Sequence, residues 1–157
     1  MSKAFTREDD DAPAIVQLRP RPPLPDDAPN YVTPRGARLL RDEHALLTAT
    51  LLRAAGEERQ AALARLSELE IRLAVTEIVE PVAHPSTARL GTRVTYEGEL
   101  RGRRTVTIVG VDEAAPDHGR IAWTSPLGRA LTGRSAGDVV SVRTPSGDEE
   151  IEVLEIA

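Results

Sequence analysis

The feature that most constrains the fold is a leucine repeat in the first half of the chain, interrupted by one glycine. Before Gly56, one helical face carries Leu40, Leu47 and Leu51, with Leu39 and Leu46 beside it. After Gly56, apolar residues recur at alternating spacings of four and three, at Ala62, Leu66, Leu69 and Leu73. Such a repeat is typical of a coiled-coil seam. We therefore expect two helices that meet near Ala55-Gly56 and fold back as an antiparallel helical hairpin.

The ends of this hairpin carry their own signals. Thr33 followed by Pro34 is a good helix start, because threonine caps a helix and proline suits its first position. Gly56 can adopt a positive φ and end the first helix. We place the coiled-coil hairpin in residues 31–80 and expect the following domain to support it, because the helices are short. One interrupted helix in an intermolecular coiled coil is the alternative.

The segments that flank the hairpin predict less structure. Residues 1–30 combine an acidic run at Asp9, Asp10 and Asp11 with six prolines, a composition that predicts a disordered, extended tail. Residues 81–90 contain Pro81 and Pro85 and are predicted to be a linker.

The pattern changes to short strands in residues 91–157. Alternating or β-branched residues predict five strands, around Val94–Tyr96, Arg103–Val111, Ile121–Trp123, Val139–Arg143 and Ile151–Ile156. Between the third and fourth, Ser125-Pro126 opens a segment long enough for one short helix. Strands that wrap a single helix make an α+β domain.

Composition excludes several classes of function. The chain of 157 residues has no cysteine, and its three histidines are scattered, so disulfides, thiolate zinc sites and cysteine nucleophiles are excluded and zinc is not expected. A net charge of −5 gives no general attraction to DNA, and 3% aromatic residues provide few base-stacking surfaces. No apolar run reaches membrane-spanning length, and the N-terminus lacks a signal-peptide core, so we expect a cytoplasmic protein without a membrane partner.

Four blocks in the second half closely resemble the GreA/GreB family of transcription elongation factors. They are Ile108–Ala114, Ser125–Gly133, Gly137–Val140 and Thr144–Gly147, in the family's order and at compatible spacing. The start of the hairpin, Tyr31–Ala37, also resembles the family's N-terminal coiled coil. The resemblance covers residues 31–157 and implies an FKBP-like C-terminal domain, a curved antiparallel sheet with a helix on its concave side.

The same resemblance implies a partner and a contact surface. Family members bind RNA polymerase through the loop that matches Thr124, Ser125, Pro126 and Leu127, and they meet nucleic acid only within that complex. Thr124 stands where relatives often carry aspartate, so part of the polar contact differs here. Ser125-Pro126 forms a stiff corner from which Leu127 can project outward. We expect a monomeric polymerase-binding factor that is not itself an enzyme.

The resemblance fails at the tip of the hairpin. Cleavage-stimulating relatives carry two carboxylates there that help hold a catalytic Mg²⁺ of the polymerase, and their tip motif is missing here. Each arm is roughly a dozen residues shorter, which withdraws the tip by ~18 Å. Glu57 and Glu58 lie near the tip, but acids in the first turn of a helix are also favoured by its dipole. We therefore expect no cofactor beyond, at most, the shared Mg²⁺ of the polymerase, and weak or no transcript cleavage.

Two other functions stay open at this point. A regulator of the nucleoside-diphosphate-kinase-regulator type would share the C-terminal fold, although the leucine hairpin and the Ile108–Ala114 block favour the Gre interpretation. An FKBP-like prolyl isomerase would need an aromatic-lined pocket, and this domain offers only Tyr96 and Trp123. Asp112-Glu113 is interpreted as the end of a strand and not as a catalytic pair.

Overall fold

Two helices that pack along their lengths dominate the first half of residues 20–157, the part of the chain that the computed structural model describes. Helix α1 spans Pro34–Arg53 and helix α2 spans Gly56–Ala74. They run in opposite directions, because only two residues join them and they contact each other. We call α1 and α2 the helix pair. The apolar residues packed together in it are Val32, Ala37, Leu40, Leu47, Leu51, Ala62, Leu66, Leu69 and Leu73.

The start of α1 follows the sequence signals, but the turn between the helices does not. Thr33 caps α1, and its side-chain oxygen accepts a hydrogen bond from the Gly36 amide at 3.3 Å. At the other end, α1 stops at Arg53, and Ala54 is already extended. Gly56 does have a positive φ of 57°, but it begins α2 and does not end α1. The expected role of this glycine was therefore wrong.

The helix pair is closed at its base by two short parallel strands that the sequence did not predict. Strand β1, Asn30–Val32, precedes α1, and strand β2, Thr76–Ile78, follows α2. The coiled-coil hairpin was expected to extend to residue 80, yet α2 ends at Ala74. The main chain of Val75 instead accepts a hydrogen bond from Asn30 at 2.8 Å, and the Val79 amide donates to Val32 at 2.8 Å. Parallel pairing with β1 replaces the last helical turn.

The N-terminal tail also needs a correction. Residues 1–19 lie outside the described part of the chain, so the prediction of disorder stays untested there. Residues 20–30 are ordered against the rest of the protein: the Arg21 side chain is 7% exposed, and Asn30 is fully buried. The composition did not indicate this order, because the prolines favour an extended chain and the contacts come from only two polar residues, Arg21 and Asn30.

The second half of the chain forms a five-stranded sheet. Its strands are β3, Arg93–Gly98; β4, Gly102–Val109; β5, Arg120–Ala122; β6, Val139–Thr144; and β7, Gly147–Ile156. Their order is β5-β4-β3-β7-β6. All neighbours are antiparallel except β4 and β5, so the expectation of a fully antiparallel sheet was wrong at one edge. Two short 3-10 helices, Val111–Glu113 and Pro116–His118, connect β4 to β5, so that β5 runs in the same direction as β4.

Helix α3, Pro126–Leu131, covers one face of this sheet and completes an α+β domain. The buried core between them consists of Ala88, Val94, Tyr96, Val106, Ile108, Leu131, Val140, Val142, Ile151 and Val153. Ala88 comes from the predicted linker and is tied to the loop after α3 by main-chain hydrogen bonds with Gly133 and Arg134, both 2.7 Å. Within residues 20–157, no helix is both long and apolar enough to cross a membrane.

Candidate functional site

The corner at Thr124–Leu127 is a rigid turn between strand β5 and helix α3. Ser125 is extended and caps α3: its hydroxyl oxygen accepts from the Gly128 amide at 3.0 Å. The same hydroxyl donates to the carbonyl oxygen of Ala122 at 2.7 Å, so one serine links the end of the strand to the start of the helix. Pro126 occupies the first helical position, where its fixed φ suits the helix.

Glycine at position 128 lets this corner close tightly. A Cβ atom there would collide with the carbonyl oxygen of Ala122 and lie 3.0 Å from the Cα of Trp123. The strand end and the helix therefore approach more closely than any other residue allows. Pro126 is the exposed residue of the corner, while Thr124 and Ser125 are half-buried.

The structure changes the expected role of Leu127. It was predicted to project outward, but its side chain is half-buried and packs against the core of the sheet. The first turn of α3 must bury one apolar side chain to hold the short helix on the sheet, and Leu127 takes that position. Its outer surface remains available at the edge of a groove.

This groove lies between α3 and the β6–β7 hairpin and has a volume of about 220 Å³. Ser125, Pro126 and Leu127 form one wall, and Thr144 and Pro145 of the hairpin turn form part of the other. The turn is braced by the Thr144 hydroxyl, which donates to the Gly147 carbonyl at 2.7 Å. Three of the four predicted contact residues, Ser125, Pro126 and Leu127, therefore border one surface depression, whereas Thr124 does not line it. The depression also includes a second proline, Pro145, which the sequence analysis did not connect with them.

Two buried polar groups lie beneath the groove. Burial raises the pKa of the Tyr96 phenol above its usual value, against the opposing effect of the Arg101 and Arg104 charges. The Glu149 carboxylate accepts from the Leu100 amide at 3.2 Å and lies 3.6 Å from the Arg101 guanidinium. The groove thus combines apolar walls with a charged pair at one side, a combination suited to a protein partner.

The tip of the helix pair is the turn between α1 and α2, at the end of the helices away from strands β1 and β2. Glu57 and Glu58 are both exposed in the first turn of α2, directly after the turn. Arg59 donates from its side chain to the main chain of Leu51, which ties the turn to the end of α1. Among the described residues, no group of three or more histidine, cysteine, aspartate or glutamate side chains could hold a metal ion.

A buried polar junction sets how the helix pair stands on the sheet domain, and sequence reasoning missed it. Glu113, expected to end a strand, lies in a 3-10 helix and is 3% exposed. Its carboxylate accepts from the Thr33 amide at 2.9 Å, from the Thr33 hydroxyl, and from the Gly110 amide at 3.1 Å. One side chain therefore bonds to the helix cap of α1 and to the sheet domain.

Asp112, beside it, takes part in a second cluster that reaches the N-terminal segment. Arg21 donates to Asp112 at 2.9 Å and to Glu43 of α1 at 2.8 Å. Burial alone would lower the pKa of Arg21, but these two carboxylates outweigh it and raise the pKa above its usual value. Arg72 of α2 lies 3.8 Å from Asp112 and donates to the main chain of Pro22. No local sequence signal marks these residues, because their partners are 22 to 91 positions away.

The chain is similar to known proteins, both to a family model and to individual relatives. Residues 83–157 match the family described as transcription elongation factor, GreA/GreB, C-terminal. A transcription elongation factor GreA from Pseudomonas aeruginosa is 38% identical over 107 residues, which is 66% of this chain and 67% of that protein. A transcription elongation factor GreA from Pseudomonas putida is 32% identical over 150 residues, covering 80% of this chain and 94% of the relative.

Solved structures show a similar protein. The crystal structure of GreA factor homolog 1 from Thermus thermophilus is 29% identical, with a TM-score of 0.41. The match covers 81% of this chain and 97% of that one.

Proposed function

Because this chain belongs to the GreA/GreB family of transcription elongation factors, we propose that it binds RNA polymerase through its C-terminal domain and presents the helix pair to the enzyme. The observation that carries this proposal is the rigid corner with exposed Pro126 beside the apolar groove. The corner is held by the two hydrogen bonds of Ser125, so a partner would meet a surface that is already formed. Binding to such a surface loses little conformational entropy.

The chemistry of the groove fits an elongated, partly apolar partner. Ile121, Leu127 and Val142 contribute apolar surface, while Arg101 and Arg143 stand at its edge. Arg143 is exposed, and its Asp148 partner lies 3.4 Å away, also in solvent. Exposed ion pairs contribute little to stability, so both charges remain available to a partner. We propose that the contact surface comprises Thr124, Ser125, Pro126 and Leu127, together with the groove that the last three of them border.

Substitution of Pro126 tests this docking surface. We expect Pro126→Ala to weaken binding to core RNA polymerase about tenfold, equal to about 1.4 kcal/mol, because it removes exposed apolar area and loosens the corner. Affinity would be measured by fluorescence anisotropy with labelled protein. Pro116→Ala is the matched control, since Pro116 is likewise exposed at the first position of a short helix but lies outside the groove. Equal affinities for the two variants would exclude this surface.

We further propose that the factor stimulates transcript cleavage weakly or not at all. The helix pair is short, with 20 residues in α1 and 19 in α2. At ~1.5 Å per residue it reaches about 30 Å from its base. A carboxylate must lie within ~2.6 Å of a metal ion to bind it. A tip roughly 18 Å short of the family's tip therefore cannot bring Glu57 and Glu58 to the polymerase metal in the family's docking position. The factor would then modulate elongation or pausing, or compete with cleavage-competent relatives.

A cleavage assay on stalled elongation complexes tests this second proposal. We expect the wild-type protein and a Glu57→Ala, Glu58→Ala double variant to give the same low rate, while both still bind the polymerase. A cleavage-competent GreA protein serves as the positive control. Efficient cleavage by the wild type that the double variant loses would show that the two acids act at the metal after all.

Other properties follow from the same family membership. We propose that the sheet and α3 correspond to the family's FKBP-like domain and the helix pair to its coiled coil, shortened. We also propose a monomeric, cytoplasmic factor that meets nucleic acid only inside the polymerase complex and carries no cofactor of its own. It would have no enzymatic activity; a chromogenic prolyl-isomerase assay is expected to give no rate above background.

A further inference from the structure

A second, larger cleft shares no lining residue with the docking groove and has no role in the function proposed above. It has a volume of about 610 Å³ and separates the first turn of α1 from the outer face of strands β3, β4 and β5. Its walls carry three arginines: Arg35 on α1, Arg93 on β3 and Arg120 on β5. His118 also lines the cleft.

The register of the sheet places two of these arginines in one row. Arg93 pairs with Thr107, and Thr107 pairs with Arg120. Residues that are directly opposite on neighbouring strands point to the same face, and strands lie about 4.8 Å apart. The Cα atoms of Arg93 and Arg120 are therefore about 10 Å apart, with the Thr107 hydroxyl between them. Thr105, two residues earlier on β4, lies on the same face and also lines the cleft.

The three arginines have no ion-pair partner among residues 20–157. Arg35 and Arg93 are exposed, and Arg120 is half-buried. The Nε of Arg120 is shielded from solvent and donates to no described group. A buried donor without an acceptor is costly, so an anion bound here would satisfy it. Among the described residues that line the cleft, the single carboxylate is that of Glu113, which is already engaged by the Thr33 and Gly110 hydrogen bonds.

This set of groups matches the chemistry of phosphate. Guanidinium groups bind phosphate oxygens through paired hydrogen bonds, and threonine hydroxyls can donate to the remaining oxygens. The first turn of α1 also lines the cleft with the positive end of a 20-residue helix. Pro34 has no N–H and the Gly36 amide donates to the Thr33 cap, so the arginines, not the helix amides, supply the main contacts. We propose that this cleft is a binding site for a phosphate-bearing ligand, recognised through its phosphate groups by Arg93, Arg120 and Arg35.

The ligand's phosphate could belong to a free polyphosphate compound or to a nucleic-acid backbone, because both present the same oxygens. The chain's net charge of −5 gives no long-range attraction for either, so affinity must come from the local arginines. Within the part of the chain that the structure describes, no tryptophan, tyrosine or phenylalanine lines the cleft. Recognition would therefore not involve stacking of bases on aromatic rings.

Calorimetric titration of the full chain with two probes tests this site. The probes are inorganic pyrophosphate and a single-stranded RNA 12-mer, in low-salt buffer free of phosphate. We expect saturable binding of at least one probe. In NMR spectra recorded with the same probe, the amide chemical-shift changes should be centred on Thr105, Thr107 and Gly119. In the double variant Arg93→Gln, Arg120→Gln, affinity should fall roughly tenfold or more, because two charge-assisted contacts are lost.

A second double variant provides the matched control. Arg41→Gln, Arg53→Gln makes the same change in net charge at two exposed arginines of α1 outside the cleft, and it should keep its affinity within about twofold. Binding of pyrophosphate alone would assign the site to small phosphate compounds, and binding of the RNA as well would extend it to a backbone. No binding of either probe, or binding that the Arg93, Arg120 double variant retains, would overturn the proposal. Retention of polymerase binding by this variant would separate the site from the docking surface.

Discussion

At the scale of single residues, Glu113 contributes most to the arrangement of the molecule. Its carboxylate accepts three hydrogen bonds, two from Thr33 and one from Gly110, in a site that excludes solvent. Gly36 makes room for it: a Cβ atom on this glycine would collide with the Glu113 carboxylate. Two residues with no shared motif thus depend on each other across 77 positions of the sequence.

Replacement of Glu113 by glutamine should be strongly destabilising. The amide group of glutamine cannot accept a hydrogen bond through its nitrogen, so at least one buried donor on Thr33 loses its acceptor. We expect the free energy of unfolding to fall by about 2–3 kcal/mol, measured by urea denaturation. Glu80→Gln is the control, because it makes the same chemical change at an exposed glutamate.

A second variant approaches the same contact from the helix. Gly36→Ala should also destabilise the protein, by about 1–3 kcal/mol, because its methyl group must displace Glu113 from the helix cap. Combining both changes should cost less than their sum, since each disrupts the same contact. Full additivity would mean that the two residues act independently.

At the scale of elements, residues 20–29, which precede β1, contact both the helix pair and the sheet domain; we call this segment the strap. Arg21 reaches α1 through Glu43 and the sheet domain through Asp112, and the main chain of Pro22 accepts from Arg72 of α2. Burial lowers the pKa of Arg72, as do the nearby charges of Arg21 and Arg65, whereas Asp112 acts in the opposite direction. The cluster is therefore balanced by Asp112, which is, of the acids in residues 20–157, the one that faces both Arg21 and Arg72.

Two truncations isolate the contribution of the strap. Deleting residues 1–29 should lower the free energy of unfolding by about 2 kcal/mol more than deleting residues 1–19, because only the longer deletion removes Arg21 and leaves Asp112 and Glu43 with fewer donors. Both would be measured by thermal and urea unfolding. Arg21→Gln in the full chain should reproduce most of that difference. Identical stability of the two truncations would show that the strap is not stabilising.

At the scale of the whole molecule, sequence patterns predicted what depends on local periodicity and on turn chemistry. The leucine spacing gave the contact face of both helices, and Ser125-Pro126 gave α3 at the residues where it lies. The four blocks of family resemblance agree with the match over residues 83–157. Each of these signals is carried by residues within a short window.

Features that depend on distant partners were not predictable in the same way. Strands β1 and β2 have three residues each, too few for an alternating pattern, and they exist because the helix pair brings their ends together. The same holds for the burial of Arg21, whose partners are 22 and 91 positions away, and for the bonds of Glu113 to Thr33, 80 positions away. The outward direction expected for Leu127 was wrong because a short helix needs an apolar side chain packed against the core. The sequence of the corner alone does not show which residue supplies it.

The closed base of the helix pair has a mechanical consequence. Two antiparallel helices about 30 Å long that are fixed at one end form a lever. A tilt of about 5° at the fulcrum would swing the free end by ~2.6 Å, as far as a whole metal–oxygen bond. The pairing of β1 with β2 joins the two ends of the helix pair, and Glu113 joins the start of α1 to the sheet domain, so both contacts resist such a tilt. The direction of the helix pair is thereby set by the protein's own contacts before any partner binds.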